Sequence, residues 1–74
     1  MEEFGRVYLN LDNLIKDKGI SKNKLAQKSQ ISFTQLQKFY RNEISRIDFS
    51  TVARLCCVLD CDISDLIKYE PPKK

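Results

Sequence analysis

The most constraining feature of the chain is a pair of short amphipathic segments within residues 22–41. The inner face of the first segment carries a small residue, Ala26, so a second helix can approach it closely. A turn at Gln30, four residues later, is followed by apolar residues that close the angle from within. Those residues are Ile31, Leu36 and Phe39. This spacing predicts two helices held at a wide angle, the second of which, about 32–41, projects from the surface.

Polar caps and apolar periodicity predict four to five short helices along the whole chain. The predicted N-caps are Asn10, Ser21, Ser32, Asp48 and Asp62. Gly19 stands where a glycine commonly ends a helix, and Asn42 tolerates the left-handed conformation at the end of the third helix. The fourth helix, about 49–60, has the clearest 3.6-residue stripe, formed by Phe49, Val52, Ala53, Leu55, Cys56 and Leu59. The expected fold is therefore all-α, a compact bundle of short helices.

Both ends of the chain alternate apolar and polar residues, which indicates short extended segments. An antiparallel β-pair between residues 6–9 and 66–70 would join the two termini. A two-stranded ribbon is only marginally stable unless it packs on something, here either the helices or a partner subunit. The alternative is that both ends are simply frayed.

The length of 74 residues suffices for one small domain with a thin core. We expect that domain to span residues 1–70, with residues 71–74 as a flexible tail. No apolar run is long enough to cross a membrane, and the N-terminus lacks the basic-then-apolar build of a signal peptide. A cytoplasmic protein is therefore expected.

The side chain that most often acts as a general base or as a metal ligand is missing. Histidine is absent, and three cysteines, Cys56, Cys57 and Cys61, do not make the paired motifs that zinc requires. We interpret them as small apolar residues on a helix, although an exposed Cys57 could form an intermolecular disulfide in air. With no Gly-rich phosphate loop either, the sequence predicts no enzyme, no metal, no cofactor and no small-molecule substrate.

The positive charge is concentrated in the middle of the chain. The net charge is only +3, from 13 Lys and Arg against 10 Asp and Glu. Residues 16–46, however, hold eight basic and two acidic residues, a net +6, whereas residues 1–15 carry −2 and residues 47–70 carry −3. Such an asymmetry favours a surface that binds a polyanion. The alternative is a solvated helix face that happens to be rich in lysine.

Residues 11–66 resemble the Cro/phage-repressor-like helix-turn-helix family, also called the XRE family. The matching segments are Leu14–Ser21, Leu25-Ala26, Ile31-Ser32, Leu36, Phe39–Asn42, Leu55–Cys61 and Asp65-Leu66. The resemblance, in particular to small stand-alone members, implies a lambda-repressor-like fold. It also implies a sequence-specific double-stranded DNA-binding transcriptional regulator, a repressor acting as a homodimer. The chain departs from the family pattern at Gln30, where glycine is usual, at Lys22, where glutamine is common, and at Tyr40, where glutamate is common.

The resemblance also implies which residues contact DNA. The expected base-reading residues are Ser32, Phe33, Thr34, Gln37 and Lys38, with Lys38 suited to guanine and Gln37 to adenine. The expected phosphate contacts are Lys22, Asn23, Arg41, Asn42, Ser45 and Arg46. Two of these residues have structural alternatives, since Phe33 could lie back on its own domain and Ser32 could act only as a helix cap.

A different function on the same fold would be a protein-interaction module, such as an antitoxin or an anti-regulator. Its anchors would be the aromatic residues Phe4, Phe33 and Tyr40, because aromatic side chains dominate binding hot spots. The basic middle of the chain argues against this as the sole function.

Overall fold

A computed structural model of the protein describes residues 3–73. Its elements are β1 (Arg6–Leu9), α1 (Leu11–Lys18), α2 (Lys22–Ser29), α3 (Phe33–Tyr40), α4 (Phe49–Leu59), α5 (Ile63–Leu66) and β2 (Ile67–Glu70). The expected bundle of short helices with a terminal β-pair is confirmed. Residues 1, 2 and 74, which belong to the expected domain and tail, lie outside the described residues. Within the described residues no helix is both long enough and apolar enough to cross a membrane.

One core of buried apolar side chains holds all five helices and β1 together. It contains Leu9, Leu11, Leu14, Leu25, Ala26, Leu36, Phe39, Val52, Leu55, Leu59 and Leu66. The two helices predicted to meet at a wide angle contribute Ala26, Leu36 and Phe39, and the half-buried Ile31 packs against them. Each fully buried leucine stabilises the fold by about 1.5–3 kcal/mol relative to an exposed one. The predicted apolar spacing therefore positions α3 on the core.

Polar side chains cap the N-termini of three helices as predicted. The hydroxyls of Ser21 and Ser32 and one carboxylate oxygen of Asp48 each accept a hydrogen bond from the backbone N–H three residues ahead, all at 3.1 Å. Asn10 precedes α1, but its side chain does not cap the backbone. Its Oδ1 instead accepts a hydrogen bond from the Asn13 side chain at 2.7 Å. The prediction of a side-chain cap at Asn10 is therefore wrong.

The predicted stripe of α4 is wrong at two positions. Phe49 is 90% exposed and Ala53 is exposed, whereas the buried residues of α4 are Thr51, Val52, Leu55 and Leu59. Helical side chains lean toward the N-terminus of their helix. The side chain of Phe49, the first residue of α4, therefore leans past the end of the helix, where no core lies beneath it.

The two ends of the chain pair rather than fray. β1 and β2 form an antiparallel ribbon in which Leu9 lies opposite Ile67 and Val7 opposite Tyr69. The ribbon is anchored at one end, where Leu9 is buried, and exposed at the other, where Val7 and Tyr69 are 65% and 61% exposed. Within the bundle, the ribbon is thus only partly covered by the helices.

Candidate nucleic-acid interface

The turn between α2 and α3 keeps its usual conformation without a glycine. Gln30 lies in the left-handed region, with φ 59° and ψ 42°. The next residue closes the turn, because the Ile31 N–H donates to the Ala26 carbonyl at 3.0 Å. The replacement of glycine by Gln30 has therefore not reshaped the turn, although a residue with a Cβ is strained in this region.

Helix α3 turns the predicted base-reading residues away from the core. Leu36 and Phe39 form its buried side. Ser32, Thr34 and Lys38 are exposed, and Gln37 is half-buried. Phe33 is 43% exposed, which leaves part of its ring in contact with the protein and part available to a partner. Ser32 caps α3 through its hydroxyl, so its predicted alternative role as a cap is present in the structure.

A single open groove of about 360 Å³ brings together residues from α3 and from the loop that follows it. It is lined by Ser32, Thr34, Gln35, Lys38, Glu43, Ile44, Ser45 and Arg46. Three predicted base-reading residues and two predicted phosphate contacts therefore share one surface, although they are up to 14 positions apart in sequence. Gln35, Glu43 and Ile44 complete the groove, and the sequence reasoning did not assign them to it.

Lys22 and Tyr40, two of the departures from the family pattern, contact each other. The Lys22 ammonium lies 3.9 Å from the centroid of the Tyr40 ring. It also donates a hydrogen bond to Oε1 of Gln37 at 3.1 Å. The first residue of α2 is thereby joined to the outer side of α3. Because Tyr40 is half-buried under this contact, its ring is a poorer anchor for a protein partner than the sequence suggested.

Asn42 has a structural role that the sequence reasoning missed. It adopts the expected left-handed conformation, with φ 58°. Its side-chain Oδ1 accepts from the Leu9 N–H at 2.6 Å, and its Nδ2 donates to the Leu9 carbonyl at 3.0 Å. The side-chain amide thus pairs with the backbone of β1 as a neighbouring strand would. Only one of its amide hydrogens is left for the predicted phosphate contact, although Asn42, like Asn23 and Arg41, is exposed.

The basic residues of the middle segment are not neutralised by ion pairs. Across residues 3–73 the structure contains one salt bridge, between Arg6 Nε and Glu70 Oε1 at 3.0 Å, and it lies in the ribbon. The Lys18 ammonium donates to the Asp60 carbonyl, at the end of α4, at 3.3 Å. The remaining cations of the segment leave a positive potential around α2 and α3.

Arg54 connects α4 to the end of α2. Its Nε donates to the Ser29 carbonyl at 2.8 Å, and its two terminal nitrogens donate to the hydroxyls of Ser50 at 2.6 Å and Thr51 at 3.3 Å. In the sequence alone, Arg54 contributes only a positive charge to an acidic segment. The spacing of Ser50 and Thr51, four and three residues before it on one helix, was the available signal. Ser29 lies fully buried at this junction, and its hydroxyl has no hydrogen-bond partner among the described residues.

The cysteines do not form a site with the acidic residues near them. All three are free thiols, of which Cys57 is exposed and Cys56 and Cys61 are half-buried. Burial, followed by the neighbouring Cys56, raises the pKa of the Cys61 thiol to about 11. No group of three or more His, Cys, Asp or Glu residues in the described part of the chain is arranged to hold a metal ion.

Known proteins share this fold. The family model described as the Cro/C1-type HTH DNA-binding domain matches residues 10–72. The crystal structure of the transcriptional regulator VanUg is 25% identical with a TM-score of 0.75, and the match covers 96% of this chain and 93% of VanUg. SinR, the master regulator for biofilm formation, solved in complex with DNA, has the same fold at 24% identity with a TM-score of 0.67, covering 72% of this chain and 84% of SinR. No curated protein sequence matches the chain significantly.

Proposed function

This chain belongs to the Cro/C1-type helix-turn-helix DNA-binding domain family, and from that premise we propose that it is a transcriptional repressor that reads the DNA major groove with α3. The family and the regulator neighbours support the coarser function, a DNA-binding regulator, and we propose that it has no enzymatic activity. We further propose that the protein acts in the cytoplasm, and that repression results from occupancy of a promoter.

The observation that carries the proposal is the groove between α3 and the following loop. Thr34 and Lys38 on α3 lie beside Ser45 and Arg46 of the loop. An exposed helix fits a major groove about 12 Å wide. Its side chains would then contact base edges, and the loop residues would reach the flanking phosphates. In protein–DNA complexes base contacts specify the sequence and phosphate contacts position the protein.

In this arrangement the proposed base-reading residues are Ser32, Phe33, Thr34, Gln37 and Lys38. Ser32 contributes mainly by capping α3. The proposed phosphate contacts are Lys22, Asn23, Arg41, Ser45 and Arg46, with a lesser part for Asn42, whose side chain is engaged with Leu9.

We propose that the protein binds an inverted repeat as a homodimer. One helix in one groove reads few base pairs, so two-fold symmetric dimers that span two half-sites are the usual solution. The exposed end of the ribbon, where Val7 and Tyr69 share one face, supports a dimer surface there. Val7→Lys should then shift the chain toward a monomer in sedimentation equilibrium. Ile63→Lys, which adds the same charge at a similarly exposed apolar residue on α5, should not.

The decisive experiment is duplex binding at two salt concentrations. If each subunit neutralises about 4–6 phosphates, the logarithm of the binding constant should fall with log salt at a slope near −0.9 per phosphate. An affinity that does not change with salt would refute DNA binding by this face. Lys38→Ala should cost about 1–3 kcal/mol on the site that random-site selection with the protein identifies, and little on random DNA.

Repression is tested separately from binding. A reporter promoter that carries the selected site should lose expression when the protein is produced, and the loss should vanish with Lys38→Ala. Increased expression would instead identify an activator.

A further inference from the structure

The contact between Lys22 and Gln37 determines which way the Gln37 amide faces. An ammonium group carries three donors and no acceptor. The Gln37 atom that lies 3.1 Å from the Lys22 ammonium must therefore be the carbonyl oxygen, Oε1. The other end of the amide, the Nε2 group with two donor hydrogens, is left as the free end of the side chain.

Tyr40 keeps Lys22 in this position. Lys22 is the first residue of α2, where a positive charge is opposed by the helix dipole. The face of the Tyr40 ring, 3.9 Å from the ammonium, attracts the cation. Lys22 is also half-buried there. The ring and the Gln37 oxygen together offset the unfavourable place of the charge.

We propose that Lys22 and Tyr40 make Gln37 a donor-only reader of DNA, so that it selects guanine rather than adenine. The inference rests on the proposed DNA-binding function. Pairing with adenine needs both ends of the amide, because adenine presents the N7 acceptor and the N6 donor. Guanine presents two acceptors, N7 and O6, which match the two hydrogens of Nε2. The assignment of Gln37 to adenine, expected from the residue type alone, is thereby replaced.

The test is random-site selection with the full chain and five variants. The position read by Gln37 is defined as the one whose base preference Gln37→Ala flattens. In the wild type that position should prefer guanine. Lys22→Met frees Oε1, so the guanine-to-adenine ratio should fall by about fivefold, the value of roughly one hydrogen bond.

Two matched pairs separate this effect from the loss of a charge. Lys24→Met removes a cation from the exposed side of the same helix and should lower affinity without changing the ratio. Tyr40→Phe retains the aromatic face and should keep the guanine preference, whereas Tyr40→Leu should shift it as Lys22→Met does. Circular dichroism spectra and urea unfolding midpoints show that each variant is folded.

Three results would overturn the inference while leaving DNA binding intact. They are a wild-type preference for adenine at the Gln37 position, an unchanged ratio in Lys22→Met, and the absence of any position that depends on Gln37. A wild-type chain that does not bind duplex DNA in a salt-dependent way would refute the proposed function as well.

Discussion

The α2–α3 pair and the α4–α5 pair are built with the same devices but carry opposite charge. Neutral hydroxyls cap α2 and α3, from Ser21 and Ser32. A carboxylate caps α4, from Asp48, and another accepts from the N–H at the start of α5, from Asp65. Both kinds of cap satisfy backbone donors, but only the carboxylate neutralises the positive end of the helix dipole. The difference leaves the starts of α2 and α3 attractive to phosphate.

The rest of each pair follows the same division. Residues 22–41 contain no acidic side chain, whereas Asp60, Asp62 and Asp65 cluster around the end of α4 and the start of α5. A helix pair can thus be stable with either net positive or net negative charge, but binding to a polyanion requires the positive charge found on α2 and α3. Four sets of variants test this difference between the two pairs.

The largest expected effect is on the connection between the two pairs. Arg54→Met should destabilise the protein by about 2–3 kcal/mol, because hydrogen bonds from a charged, partly buried group are lost and the Ser29 carbonyl is left without its partner. Urea unfolding measures the loss. Arg41→Met, an exposed position after α3, should leave stability nearly unchanged and weaken DNA binding instead. Equal stability of Arg54→Met and the wild type would show that the two pairs are held together by the apolar core alone.

The second point is the neutral cap of α3. Ser32→Asp should keep or raise the thermal midpoint, since aspartate caps helices as well as serine does. It should lower duplex affinity by about tenfold, because its carboxylate would repel the DNA phosphates and cancel part of the positive charge that attracts them. Ser64→Asp adds the same charge on the exposed surface of α5 and serves as the control. If both variants lost affinity equally, net charge rather than the cap would be responsible.

The third point compares the two left-handed helix ends, at Gln30 after α2 and at Asp60 after α4. Gln30→Gly should stabilise the protein by about 0.5–1 kcal/mol, because glycine takes this conformation without the Cβ clash. Asp60→Gly should gain less, since aspartate visits the left-handed region more readily than glutamine. Chemical denaturation of both variants decides this. A loss of stability in Gln30→Gly would mean that the glutamine side chain contributes more than its backbone strain costs.

The smallest effect is a difference in the response to acid. Hydrogen bonds from Thr51 hold the pKa of Asp48 below its usual value. Because this pKa is lower in the folded protein than in the unfolded chain, the ionised carboxylate stabilises the fold at pH values above the unfolded pKa. This stabilisation is lost as the pH falls through the folded pKa. Amide protection factors at the start of α4, each taken relative to the intrinsic exchange rate at the same pH, should therefore fall below about pH 4, whereas the serine caps of α2 and α3 do not titrate. Asp48→Asn, which retains a capping oxygen, should remove most of this difference.

Much of the fold could be predicted because its determinants are local. The apolar spacing from Ala26 to Phe39 predicted the α2–α3 pair. The side chains of Ser21, Ser32 and Asp48 each cap a helix by accepting from the backbone N–H only three residues ahead. The predictions for Phe49 and Asn10 were wrong for two different reasons, of which only the first lies outside local sequence patterns. The burial of Phe49 depended on where the core ends, and the Asn10 side chain had another polar partner, Asn13, within reach.

The sequence by itself determined the helix-turn-helix unit, the basic segment around it and the residue types offered to DNA. These follow from periodicity and charge, which act over a few residues. Only the tertiary structure decided what those side chains do. Arg54 reaches Ser29 across 25 positions, Asn42 reaches Leu9 across 33, and Lys22 reaches Gln37 across 15. A hydrogen bond needs two atoms at about 3 Å in the correct orientation, and for residues so far apart in the chain only the packing of the whole domain sets that distance.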